Sequence, residues 1–175
     1  MSKPSSTSVG GVDQSNFLYL CMIERVDDCV YRLYAAAKVL AARLRNASPS
    51  QQRAASRLAC QLAMQASALR FPVALAALHE LQSTGSLSDQ RVTELSGLAS
   101  SLDKTYFDRQ DGPVETSASG TDALRLFSQA RAVSALSLAG GKNPLVAALE
   151  SIYESGAAVD DAHSVYDAVL NLLKT

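Results

Sequence analysis

The stretch that decides the fold is residues 14–45, QSNFLYLCMIERVDDCVYRLYAAAKVLAARLR. Tyr19, Ile23, Val26, Val30, Leu33, Ala37, Leu40 and Leu44 recur within it at steps of four and three. A seam of period 3.5 marks a helix that packs lengthwise on other helices. With Asp13 or Ser15 as its cap, such a helix would run roughly 50 Å, at 1.5 Å per residue.

Punctuation downstream of this stretch is helical throughout. Asn46-Ala47-Ser48-Pro49 stops the first helix and starts the next, with Ser48 placed as N-cap and Pro49 at the first helical position. The second helix is expected to reach Arg70, where Phe71-Pro72 interrupts the chain. A short helix then runs to Gln82 and closes on Ser83-Thr84-Gly85. Another covers Leu87 to Phe107, with Val92, Leu95, Leu98 and Leu102 as its apolar stripe. The segment 108–120 reads as the one internal loop, and helices follow at about 121–138, 144–154 and 158–174. No segment alternates in the manner of a strand. The expectation is an all-α bundle of about seven helices, with residues 1–12 as a Ser- and Gly-rich tail and 13–175 as one domain.

An internal duplication is a further expectation. At an offset of 71, Ala76-Ala77-Leu78 falls on Ala147-Ala148-Leu149, Leu81 on Ile152, Gly85 on Gly156 and Leu95 on Tyr166. Pro72 and Pro144 each open the middle helix of a three-helix unit, giving units 53–104 and 121–174.

Charge is distributed unevenly. Residues 29–79 contain no Asp or Glu but seven basic residues, whereas residues 80–175 hold 13 acids against seven bases, in a chain of net charge −1. A surface of one sign attracts the other. Arg43 and Arg45 end the first helix, and Arg53 and Arg57 lie one turn apart on the second. An antiparallel hairpin would gather all four at a basic tip, suited to the carboxylates of an acidic protein segment or to phosphates of RNA or anionic lipid. Few aromatics accompany these arginines, which disfavours single-stranded nucleic acid. Tyr31 and Tyr34 lie off the seam and are candidate interface residues; the alternative is packing on a second buried face.

Reaction chemistry is not legible. Glu24, Asp27 and Asp28 share a helix face, and Asp160 and Asp161 precede His163, but only two histidines are present and neither set has metal-ligand spacing. No GxSxG elbow occurs, and Gly140-Gly141-Lys142 follows a helix and lacks the spacing of a phosphate loop. Cys21, Cys29 and Cys60 form no CxxC pair and read as reduced core thiols. No metal or other cofactor and no enzymatic activity are expected. The longest apolar run, Phe17 to Ile23, is too short to span a bilayer, and no secretory leader is evident. A cytoplasmic protein is expected, with the nucleus as the alternative.

Residues Leu78-His79-Glu80-Leu81-Gln82-Ser83-Thr84-Gly85-Ser86-Leu87-Ser88, with Val92, Leu95, Leu98 and Leu102, carry a short-helix, glycine, helix pattern. It resembles the C-terminal helical domain of certain vesicle-coat proteins and of steroid-receptor-RNA-activator proteins. The resemblance spans about 30 residues, and the helix that follows directly in that pattern is displaced here by the 108–120 loop. No function is carried across on it. The functional expectation is a non-catalytic interaction subunit or adaptor that contacts an acidic partner through the basic tip. The alternatives are an RNA- or anionic-membrane-associated protein using the same arginines, and a helical small-molecule binder or enzyme. A homodimer is a further expectation if the first-helix seam is left uncovered.

Overall fold

A computed structural model of the protein describes residues 32–110 and 117–174. Among the described residues there are eight helices and no strand. They are α1 (32–36), α2 (Lys38–Asn46), α3 (Pro49–Ala66), α4 (Pro72–Thr84), α5 (Asp89–Gln110), α6 (Ser117–Ala139), α7 (Pro144–Ala157) and α8 (Ala162–Leu172). The 1–12 tail, most of the expected first helix and Tyr31 lie outside the described residues.

Local sequence explains most of the boundaries. Ser48 accepts from the Gln51 N–H while the Gln51 side chain accepts from the Ser48 N–H, a reciprocal capping box that opens α3 with Pro49 behind it. Asn143 accepts from the N–H groups of Leu145 and Val146 at the start of α7. Asp161 does the same for His163 at α8. Gly85 ends α4 at φ +76°, the left-handed position that a residue without Cβ adopts at least cost.

Four boundaries differ from the sequence reading. The first helix is not continuous to Arg45: Ala37, at φ −150° and ψ 72°, separates α1 from α2. The break lets Leu33 on one side and Leu40 and Leu44 on the other all reach zero exposure in the same apolar layer. Helix α3 stops at Ala66 rather than Arg70. Ala68 takes φ +50°, its N–H bonds Gln65 O and the Leu69 N–H bonds Met64 O. That pattern is a Schellman closure, anchored by the fully buried Leu69. Helix α6 begins at Ser117, inside the expected 108–120 loop, and packs on α5. Gly156 lies in the last turn of α7 instead of separating two helices. A Cβ there would meet the Tyr166 hydroxyl at 2.5 Å, so Gly156 is the gap that admits a ring from α8.

Helices α3, α6 and α7 form the centre. Helix α5 covers α6, α8 lies over α3 and α7, and α4 sits at the edge among α3, α5 and α6. Alanines line the close approaches: Ala55, Ala59 and Ala63 on α3, Ala132 and Ala135 on α6, and Ala148 on α7 are all at 0% exposure. Two apolar clusters result. One joins the second half of α3 to α4, α5 and α6; the other joins α1, α2, the first half of α3, α7 and α8. The described part of the first-helix seam is therefore covered by the chain's own helices.

A basic α2 face and a polar cleft as candidate sites

Of the four arginines expected at a hairpin tip, Arg43 and Arg45 are exposed while Arg53 and Arg57 are half-buried. Helix α2 packs on α7 and α8 instead of running antiparallel along α3. The corner between α2 and α3 is tied by the buried Gln52, whose amide donates to Leu44 O at 2.9 Å and Ala47 O at 3.1 Å. Arg53 turns the other way: it donates to Ala139 O at 3.0 Å and Lys142 O at 3.1 Å. Those carbonyls belong to the end of α6 and the turn after it, so Arg53 closes a helix C-terminus. Partial burial lowers its pKa from the usual guanidinium value. Arg57, one turn on, is half-buried.

Arg43 and Arg45 remain, both exposed in the last turn of α2. Neither has a carboxylate partner among the described residues. Outside this corner Arg32, Arg91, Arg109 and Arg131 meet Asp or Glu, whereas Arg70 and Arg125 are exposed without such a pair among the described residues. The outer face of α2 also shows Val39 and Ala42 to solvent, and Tyr34 stands exposed beside it with the Lys38 ammonium 5.4 Å from its ring centre. Tyr34, Lys38, Val39, Ala42, Arg43 and Arg45 thus form a basic surface with apolar points, bordered at Lys38 and Val39 by Asp167 of α8.

A second feature carries no forewarning in the chain. Glu154 on α7 is buried, its side chain 8% exposed, and each carboxylate oxygen accepts from a different helix. Oε1 takes Arg32 of α1 at 2.9 Å, and Oε2 takes Arg131 of α6 at 3.2 Å. Arg131 also donates to Asp103 of α5 at 2.5 Å, and the Arg32 guanidinium lies 4.1 Å over the Tyr153 ring. Partial burial alone would lower the pKa of Arg32, but its bonds to Glu154 and Tyr153 outweigh that and raise it. Charges in the chain Arg32–Glu154–Arg131–Asp103 balance in sign, and it links α1, α7, α6 and α5.

Beside this network lies a cleft of about 360 Å³ between α5, α6 and α7. Ser96 and Ser137 face each other at 3.4 Å across it, Ser100 and Ser134 line its middle, and the Arg131–Asp103 pair closes its end. Arg131 Nε is buried there and donates to no acceptor among the described residues. Hydroxyls and one N–H there can hydrogen-bond, and the charges of the network neutralise each other. Helix α7 holds two acids, Glu150 and Glu154, and nothing in the sequence singles out Glu154 as the buried one. Its partners on three other helices carry no local signal.

Cys60 is fully buried, and burial pushes its thiol up to about 12, against a weaker opposing bond from Ser155. Cys21 and Cys29 lie outside the described residues. His79 is exposed on α4. His163 and Asp167, one turn apart on α8, line a 190 Å³ groove with Tyr166 beside the α1–α2 break. Burial raises the pKa of Tyr166, so its hydroxyl stays protonated and poorly nucleophilic. No group of three or more His, Cys, Asp or Glu side chains converges among the described residues. No helix there is long and apolar enough to cross a membrane. Comparison of the chain with protein-family models, curated proteins and solved structures finds no match.

Proposed function

We propose that the protein is a non-catalytic helical interaction subunit whose α2 face receives an acidic segment of a partner protein. The observation that carries the reading is that two exposed arginines stand on one helix face beside exposed apolar side chains. Arg43 and Arg45 are exposed and without carboxylates among the described residues, in a region whose sequence supplies none between Asp28 and Glu80. Solvent would accept such charges at no cost, but a patch that also displays Val39, Ala42 and Tyr34 offers apolar contact and salt bridges together. Aromatic, Arg and apolar side chains at the centre of a patch are what protein interfaces favour. Helix α2 is held in place from behind by Leu40, Ala41 and Leu44, so the face is presented as a rigid surface.

The test offers the full chain three labelled probes at physiological salt: a Glu-rich amphipathic peptide, a single-stranded RNA and phosphatidylserine vesicles. Saturable binding of the peptide with little affinity for the other two supports the reading. Preference for RNA or vesicles overturns it in favour of a phosphate-directed surface.

A further inference from the structure

The cleft between α5, α6 and α7 is walled by two rows of polar side chains that the network around Glu154 uses only in part. Ser96, Ser100 and Asp103 step by four and three along α5, and Ser137, Ser134 and Arg131 answer them in reverse order along α6. The rows meet at both ends, Ser96 with Ser137 and Asp103 with Arg131. Between those ends the cleft runs roughly 10 Å, at 1.5 Å per residue of helix. A seam between packed helices is ordinarily apolar; here Ala99 and Leu138 are the apolar lining and hydroxyls take much of the rest.

Hydrogen-bonding capacity is left over inside it. Arg131 Nε–H is shut off from solvent and donates to nothing among the described residues, and a buried donor without an acceptor is costly. Among the described residues the Ser100 and Ser134 hydroxyls have no hydrogen-bond partner either. The 360 Å³ beside these groups is at the lower end of the range that holds small ligands.

We propose that the cleft binds a small uncharged polyhydroxyl molecule, a sugar or an open-chain polyol. One ligand oxygen accepts from Arg131 Nε–H, and the other hydroxyls bond to serines of both walls. Charge sets the first part of this assignment. An anion at Arg131 would face the Asp103 and Glu154 carboxylates already bonded to that side chain, and a cation would face the guanidinium itself. Donor chemistry sets the second. A guanidinium N–H only donates, so the ligand brings an acceptor there, while serine hydroxyls both donate and accept; a ligand hydroxyl meets both demands. No aromatic side chain lines the cleft, which leaves no platform for a nucleobase. The site is open and each bond replaces one to water, so dissociation constants of about 1–10 mM are expected. The inference does not depend on the α2 reading, because the cleft and the basic face use different helices.

Titration of the isotope-labelled full chain with xylitol, glucose, glucuronate and glucosamine, followed by NMR, tests it. Xylitol or glucose should move the Arg131 Nε–H resonance and the amides of 96–103 and 131–138 along a saturating curve. Glucuronate and glucosamine should bind at least about tenfold more weakly. Ser134→Leu fills the cleft and should abolish the shifts with helical content unchanged. The double variant Ser100→Ala/Ser134→Ala adds no bulk and should weaken binding about threefold or more. Gln65→Leu, on the exposed side of α3, should leave binding alone. No saturable shift with xylitol or glucose up to about 100 mM overturns the proposal. So does a charged sugar that binds as tightly as glucose, or binding that both serine variants leave intact or that Gln65→Leu weakens as much as they do.

Discussion

Arg32 and Glu154 are 122 residues apart in the chain and meet at 2.9 Å, the exposed end of one held by the buried carboxylate of the other. Their side chains are 48% and 8% exposed, and that asymmetry sets the energetics. Glu154→Ala removes the acceptor of two arginines and leaves Arg131 partly buried with Asp103 alone. It should cost about 3 kcal/mol, in the range for breaking a buried pair. Arg32→Ala removes a half-exposed partner and should cost under about 1 kcal/mol. Urea unfolding of both variants checks the ordering; equal losses would mean that Glu154 is held chiefly by Arg32.

Two glycine substitutions should have opposite signs. Gly97 lies inside α5 with nothing within 4 Å of an added Cβ, so Gly97→Ala should stabilise by about 1 kcal/mol through helix propensity. Gly156→Ala would set its Cβ 2.5 Å from the Tyr166 hydroxyl and 2.8 Å from the ring carbon bearing it. Overpacking of this kind costs about 1–3 kcal/mol. Thermal melts of the pair read the difference.

Ala68 sits at φ +50° to close α3, a conformation that disfavours any residue with a Cβ. Ala68→Gly should therefore stabilise by about 1 kcal/mol, through relief of the backbone alone. Denaturant midpoints decide it. A loss would show that the added freedom of the unfolded chain outweighs the relief.

Acid should uncouple α4 from α5. The Ser88 N–H donates to Glu80 at 2.6 Å and Arg91 lies at 3.5 Å, and these hold the Glu80 carboxyl below its ordinary value of 4.5, chiefly through the Ser88 bond. A depressed folded-state pKa contributes stability that is present above the unfolded pKa and lost as pH falls through the folded one. Wild type should thus exceed Glu80→Gln in stability at pH 7, and the two should converge as pH drops below about 4. A gap that persists at pH 2 would assign the effect to shape rather than charge.

The sequence reveals the helices wherever a local rule governs the backbone. Ser48-Pro49, Asn143-Pro144 and Gly85 lie where caps and stops are expected, because capping involves residues two or three apart. The break at Ala37 has no such signal, since Tyr34-Ala35-Ala36-Ala37-Lys38 favours unbroken helix and only burial of Leu33, Leu40 and Leu44 in one layer opposes it. The basic patch is legible as composition, but the bonds that hold Arg53 are not. Arg53 reads as a surface charge, yet its acceptors are Ala139 and Lys142, more than 80 residues away. The Glu154 network draws on four helices, and no window of sequence contains it.

The central claim is that Arg43 and Arg45 on the α2 face capture an acidic partner segment, and one comparison tests it most directly. The affinity of a Glu-rich amphipathic peptide is measured by anisotropy for wild type, Arg43→Glu/Arg45→Glu, and the control Arg125→Glu on the exposed face of α6. The account predicts that the double variant binds weaker by about tenfold or more, with unchanged helical content, while the control matches wild type. Equal affinities for wild type and the double variant, or a loss as large in the control, would contradict it.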